Sequence, residues 1–271
     1  MVKKKVEDRP AVMESMEKIK HKIVIMSGKG GVGKTTVAAN LAVTLSLDGV
    51  KVGLLDMDLT GPNIPKMLGI EDRRLYGDKE GILPTEVSPN LKVVSTAFFL
   101  EDRDAAIVWR GPMKMGVIKQ LLEEVYWNEL DYLIIDLPPG TSDEPLSVAQ
   151  NIPETDGVVI VTTPQDVALL DIRKAINFAR AIEMPIMGII ENMSGFKCPH
   201  CNEEIDIFKV GGGEAAAKEL GIQFLGRIPI DADIVKDGDA GHPFVLVHPD
   251  SKSAKAFREI VKNIEASLSK G

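Results

Sequence analysis

Four groups of residues in this sequence have types and spacings that can do chemistry. The first is Gly28-Lys29-Gly30-Gly31-Val32-Gly33-Lys34-Thr35, with Thr36 following. It satisfies the full pattern G-x-x-x-x-G-K-[ST]: glycines let the backbone wrap phosphate oxygens, Lys34 reaches the β and γ phosphates, and the Thr35 hydroxyl meets Mg2+. The second is the pair Asp56 and Asp58, two apart at the end of an apolar run, so that an extended backbone aims both carboxylates the same way. The third is Asp136, which closes the run LIID and is placed to hold a water on Mg2+. One of Asp56 and Asp58 can then approach the metal while the other meets an attacking water; the plainer reading of each acid is helix capping or a solvated side chain. The fourth is Cys198-Pro199-His200-Cys201, which contains both of the chain's cysteines.

Lys29 needs its own account, because a loop this tight has limited room for two ammonium groups converging on one set of phosphates. It is expected either to point across a two-fold interface to the nucleotide of a second subunit, as an arginine finger does, or to be an ordinary solvated lysine. The cysteine spacing lets two sulfurs turn toward one metal centre, but supplies half of a four-thiolate set. A thiolate-only [4Fe-4S] cluster therefore demands two chains. Zinc could use the same four sulfurs in a dimer or recruit His200 within one chain, and a dithiol redox pair is a third reading.

The elements that must position these residues alternate along the chain. Strands are expected at Ile23–Met26, Val52–Asp56, Leu91–Ser95, Tyr132–Asp136, Gly157–Thr162 and Ile186–Ile190, with a short one near Gln223–Gly226. Most are continuous apolar runs, as in strands buried on both faces. Helices are expected at Thr35–Leu47, at Asp166–Ala181 with Leu170, Ala175 and Phe178 on its apolar side, and at Lys252–Leu268, whose narrow stripe suits packing on a sheet better than a membrane. This order predicts an α/β fold, a mostly parallel central sheet with helices on both faces. Thr60–Pro89, rich in Gly, Pro and charge, reads as a surface excursion. Trp109, Arg110 and Gly111–Met113 read as a loop leading into a helix that ends before Trp127. Pro138-Pro139-Gly140 rigidifies a turn and leaves Gly140 able to approach phosphate. Gly211-Gly212-Gly213 reads as a helix start rather than a second phosphate loop.

With 271 residues, 44% hydrophobic, the chain can bury a large core without metal or disulfide support. The expected organisation is a lead-in over 1–21, one domain over 22–268 and a tail over 269–271. A net charge of −8 disfavours a broad nucleic-acid-binding face. No signal peptide or membrane-spanning run is evident, and two cysteines imply no disulfide framework, so a cytoplasmic protein with neither nucleic-acid nor membrane partners is expected.

GKGGVGKTT resembles the deviant Walker A loop of the MinD and ParA group of dimerising ATPases. Within that group the chain looks most like the Mrp-type iron-sulfur cluster carriers, through DMDLTGPNIP, WRGPMK, DYLIIDLPPGTSDE, VTTPQDVAL, ENMSGFKCPHC and GGGEAAAKELGIQFLGRIPID. The likeness covers nearly everything from Lys20 to Ser267. It implies a P-loop fold that binds ATP and Mg2+ through Gly28–Thr36, and slow, switch-like hydrolysis with Lys29, Lys34 and Asp58 as the catalytic set. Lys29 would act across a homodimer, Asp58 would orient water, Asp56 would sit at the switch near Mg2+, and Asp136 would be the carboxylate of the second nucleotide motif. It further implies that Asn192 reads the adenine edge while Pro229, Ile230 and Asp231 close over the base. The Asn192 amide has the donor and acceptor that role needs, though asparagine is also common in turns for local reasons. Cys198 and Cys201 of two subunits would hold an exposed [4Fe-4S] cluster, exchanged with assembly scaffolds and iron-sulfur apoproteins. The N-terminal cysteine cluster of some related carriers is missing, so no permanently bound cluster is expected at that end. A positioning or regulatory ATPase of the same fold, with the cysteines binding zinc or acting in redox, is the alternative.

Overall fold

Aliphatic runs bounded by turn residues form parallel strands when helices cover both faces of the sheet, and that is the architecture of this chain. The computed structural model describes residues 16–77, 81–99, 111–198, 200–201 and 203–269, with the backbone alone for 111–112 and 166–169. In chain order the elements are β1 Ile19–Met26, α1 Lys34–Leu47, β2 Val52–Asp56, α2 Ile64–Met67, β3 Tyr76–Gly77, β4 Ile82–Leu83, β5 Thr85–Ser88 and β6 Leu91–Ser95. After a 3-10 turn at Thr96–Phe99 come α3 Gly111–Glu123, β7 Leu130–Asp136, α4 Asp143–Ala149, β8 Gly157–Thr162, α5 Asp166–Ala181, β9 Ile186–Glu191, β10 Phe196–Lys197 and β11 Glu204–Ile205. The chain closes with α6 Gly212–Leu220, β12 Phe224–Arg227, α7 Ala232–Ala240, α8 Phe244–Val247 and α9 Lys252–Leu268.

The main sheet runs β12-β9-β8-β1-β7-β2-β6-β5, parallel throughout except for β5 at its edge. Side chains alternate between its two faces. Ile23, Ile25, Leu54 and Ile134 pack with α1, α8 and α9 on one side. Val24, Met26, Leu55 and Ile135 pack with α3, α5 and α6 on the other. Because all parallel strands end on one edge, that edge collects Met26, Asp56, Asp136 and Glu191, with Asp56 directly opposite Asp136 in the β2–β7 register. Ligands of open α/β sheets bind at this edge.

Four expectations change. Gly111–Met113 belong to the first turn of α3 rather than to a loop before it. β1 begins four residues before Ile23, because His21 and Lys22 extend its pairing with β7. Thr60–Pro89 is not simply a surface excursion: α2 docks with Ile64 and Pro65 buried, Leu68 and Ile70 follow them into the core, and β5 pairs with β6. Proline at the start of α2 is compatible with a helix, so the Gly/Pro-rich composition concealed a docked segment. On α5, Leu170 is exposed, whereas Ala175 is buried and Phe178 packs partly buried against the core as expected, with Ile172, Ile176 and Ala179 completing the buried face. The helix at Lys252–Leu268 packs on β12 and α1, and Gly211–Gly213 does open a helix. Trp109 and Arg110 lie outside the described residues, and no helix among the described residues is long and apolar enough to cross a membrane.

A docked excursion responds to truncation as a core does. Ile64→Ala is expected to lower the unfolding free energy by about 2–4 kcal/mol in chemical denaturation, where a solvated loop would show almost no change.

Candidate functional site

After β1 the chain turns through Ser27–Gly33 before α1 begins. Ser27 Oγ donates to the Lys29 carbonyl at 2.8 Å, and the Gly140 N–H donates to the Ser27 carbonyl at 3.0 Å. The Pro138–Gly140 turn is thereby tied to the loop. Gly33, at φ +80°, precedes the first turn of α1, and a Cβ there would lie 2.3 Å from Asn192 Nδ2, so only glycine fits. Asn192 Nδ2 itself donates to the Val32 carbonyl at 2.9 Å. Positions 28–36, 136–140 and 192 thus meet at one place.

At the start of α1, Lys34 is buried and its Nζ lies 2.6 Å from Asp136 Oδ1. Thr35 Oγ1 donates to Asp136 Oδ2 at 2.7 Å. Burial pushes the Asp136 carboxyl above its ordinary value, while the Lys34 ammonium and the two hydrogen bonds oppose that rise. Asp56 is fully buried beside it, accepting from Ser95 Oγ at 2.9 Å and from the Asp58 N–H at 3.2 Å. Desolvation, followed by the Asp136 charge, pushes Asp56 up to about 7.

Asp58 turns toward its own loop. Its Oδ1 accepts from the Thr60 N–H and Gly61 N–H, both at 3.0 Å, and from Thr60 Oγ1 at 2.8 Å. Those bonds all fall on one oxygen. Lys29 diverges from Lys34: its ammonium lies 3.5 Å from Asp171 on α5, and its side chain is 36% exposed. Around Pro229–Asp231, the Ile230 N–H donates to the Gly195 carbonyl at 2.8 Å, which places this loop beside the turn after Asn192. Asp231 caps α7 through the Asp233 N–H at 3.1 Å and accepts from Ser253 Oγ at 3.0 Å, so its carboxylate is already engaged.

Cys198 and Cys201 sit at the tip of a small antiparallel ribbon in which β10 pairs with β11. The Cys198 N–H donates to the Glu203 carbonyl at 2.9 Å. Cys198 is part-exposed and Cys201 exposed, both as free thiols. The N–H groups of Cys201 and His200, with the Cys201 thiol, point at the Cys198 sulfur and hold its thiol below the ordinary range. Among the described residues no group of three or more His, Cys, Asp or Glu could hold a metal ion, so His200 completes no one-chain zinc site there.

The donors suit the ligands expected of them. A glycine turn that a side chain would obstruct leads into a helix start, which favours phosphate. One hydroxyl and buried carboxylates are hard oxygen donors appropriate to Mg2+. Sequence reasoning passed over Ser27, Thr60, Ser95 and Asp171. Ser95 was the most legible of these, since it ends the strand beside β2 in register with Asp56. Asp171 meets the loop only through helix packing, which no local pattern encodes.

Two measurements check this electrostatic picture. Asp56 retains its proton to a higher pH in the fold than in the unfolded chain, whose reference value is 3.8. Its contribution to stability is thus fully present below that reference and is lost as pH rises through about 7. Metal-free Asp56→Asn, which cannot ionise, is expected to keep stability between about pH 4 and pH 7 where the parent progressively loses it, as read by chemical denaturation. Cys198 is expected to alkylate faster than the more exposed Cys201 at neutral pH, as read by time-resolved peptide mass spectrometry.

Comparison with known proteins places this geometry in a lineage. Residues 18–265 match the family described as ParA, NUBPL iron-transfer P-loop NTPase. The chain is 54% identical over 253 residues to an iron-sulfur cluster carrier protein of Methanocaldococcus jannaschii, covering 93% of this chain and 87% of that one. The structure is similar to the nucleotide-binding protein of Archaeoglobus fulgidus in complex with ADP, with a TM-score of 0.76 and 40% identity over 88% of this chain and 92% of that one. It is also similar to the septum site-determining protein MinD of Pyrococcus horikoshii complexed with Mg-ADP, with a TM-score of 0.64 and 27% identity over 90% and 96% of the two chains. The chain is an ATP-binding and ATP-hydrolysing P-loop enzyme. It belongs to the iron-transfer P-loop NTPases of the MinD/ParA-like superfamily, in close homology with the iron-sulfur cluster carriers.

Proposed function

We propose that this protein is an ATP-dependent iron-sulfur cluster carrier that works as a homodimer in the cytoplasm. Its cargo is a [4Fe-4S] cluster held between Cys198 and Cys201 of two copies, received from assembly scaffolds and passed to apoproteins. The observation that carries this reading is the exposed two-thiol knuckle with no third ligand gathered around it among the described residues. Two sulfurs per chain and one accessible face suit a cargo that must be shared and then released. The names of relatives support the same reading.

In the ATPase cycle, Lys34 exchanges its Asp136 partner for the β and γ phosphates, and the Gly28–Gly33 backbone with the start of α1 holds their oxygens. Thr35, with Asp56 and Asp136 nearby, would hold Mg2+, whose charge would offset that of the phosphates. Asp58 has one oxygen tied to its loop and the other to orient water for attack on the γ-phosphate. Lys29 leaves Asp171 and reaches the nucleotide of the second copy, where its charge stabilises the transition state. Asn192 reads the adenine edge beside the Pro229, Ile230 and Asp231 loop. Gly140, hydrogen bonded to Ser27, senses the phosphate end.

Anaerobic reconstitution tests this. About four iron and four sulfide per dimer are expected, with both lost in Cys198→Ala or Cys201→Ala. Lys34→Ala should retain the cluster while ATP hydrolysis falls by about a hundredfold or more. One zinc per dimer in place of iron, or cluster transfer to an apo-acceptor at the same rate with and without ATP, would count against the coupled carrier and favour a regulatory ATPase.

A further inference from the structure

Glu191 ends β9 fully buried, and none of the nucleotide or thiol chemistry above employs it. Its Oε1 accepts from the Ser194 hydroxyl and from the Gly211 N–H at 2.9 Å, and its Oε2 accepts from the Gly213 N–H at 2.5 Å. Arg227 Nε lies 3.9 Å from Oε1. After Glu191 the chain leaves the sheet, runs out through the cysteine ribbon, and returns at Gly211 into α6. One buried carboxylate therefore fastens both feet of the segment that carries Cys198 and Cys201. Gly211, at the start of α6, supplies no side-chain cap, and Glu191 fills that part from the neighbouring strand. A Cβ at Gly213 would lie 3.1 Å from Oε2, tighter than an ordinary contact, so a side chain there would press on the carboxylate.

The same turn reaches the phosphate loop. The Glu191 carbonyl accepts from the Ile228 N–H at 2.8 Å, and the Asn192 N–H donates to the Thr162 carbonyl at 2.8 Å. Asn192 Nδ2 donates to the Val32 carbonyl at 2.9 Å. Glu191 thus grips the cysteine segment and Asn192, the next residue, the nucleotide loop. We propose that Glu191 is a positioning residue: it sets the Cys198–Cys201 knuckle and transmits movement of the phosphate loop to it through the Glu191–Asn192 peptide. The consequence for cargo rests on the carrier reading above, whereas the mechanical link does not. A buried carboxylate cannot shed its donors cheaply, so the feet of the knuckle follow the strand end.

The test uses full-length, cluster-free protein and reads the alkylation rate of Cys198 with and without ATP and Mg2+. In the parent, nucleotide is expected to change the rate severalfold. Glu191→Gln turns an NH2 group toward N–H donors; it should raise the nucleotide-free rate by about fivefold or more and remove the nucleotide response. Ser194→Ala, which loses one of the three donors, should fall between the two and serves where Glu191→Gln does not fold. A parental rate and parental response in either variant would overturn the proposal, as would a parent indifferent to nucleotide. Reconstitution of the parent in parallel separates the two claims. An altered response in Glu191→Gln with no cluster uptake by the parent would leave the link standing and remove the carrier reading; uptake with an unaltered response would do the reverse.

Discussion

An ammonium buried among carboxylates must be paired, and that constraint organises the C-terminal edge of the sheet. Lys34 meets Asp136 at 2.6 Å, and Thr35 meets the other Asp136 oxygen at 2.7 Å. The first two residues of α1 are therefore fixed to the end of β7 by one carboxylate. Asp56, directly opposite Asp136, would add a second buried negative charge, and the protein answers with Ser95 and with a proton held to about pH 7. Replacing one partner of such a pair without compensation costs about 3–5 kcal/mol. In the proposed cycle, incoming phosphates and metal would supply the exchange that makes separation of Lys34 from Asp136 tolerable.

Much of the fold was legible because buried parallel strands leave an unambiguous mark. Val52–Asp56 and Gly157–Thr162 are nearly continuous apolar runs, Leu91–Ser95 is broken only by Lys92, and all three form strands over those same residues. Boundaries failed where tertiary pairing extended a polar stretch, as at His21 and Lys22. Leu170 failed for a different reason. Its spacing fits a stripe, but the sheet-facing side of α5 is set by Ile172, Ala175, Ile176 and Ala179, and a stripe read from a few residues does not fix the helix rotation. In Thr60–Pro89, turn residues outnumber the handful of apolar ones that dock, and composition weighs all positions alike.

The site was legible where chemistry demands a local pattern. Gly28–Thr35 must be contiguous to wrap phosphate, and Cys198 and Cys201 must be close to share a centre. Partners brought from afar were not. Asp171 reaches Lys29 across the packing of α5, and Glu191 closes a loop whose two ends are apart in sequence. Asn192 was singled out for the base, but its amide nitrogen is already on Val32. Any reading of adenine must use the remaining amide capacity or follow a rotation of that side chain.

The two lysines of the loop differ in what holds them, and the difference decides which can serve a second copy. Lys34 is 5% exposed and bonded to a wholly buried carboxylate. It cannot leave unless an equivalent anion replaces Asp136, so it is committed to its own site. Lys29 is 36% exposed and lies 3.5 Å from an Asp171 that also has Lys174 at 3.9 Å. Solvent-exposed pairs are worth about 0–1 kcal/mol, so Asp171 holds Lys29 only weakly, as the proposed transfer to a second copy's triphosphate requires. Once Lys29 departs, Lys174 remains to keep Asp171 company. The loop thus carries one lysine held by burial and another held lightly on its outer side. The same division recurs in the cysteine ribbon, where the backbone fixes Cys198 while Cys201 is exposed, and the two thiols would supply half of the proposed four-thiolate set. In the homodimer proposed above, a two-fold partner would complete both arrangements.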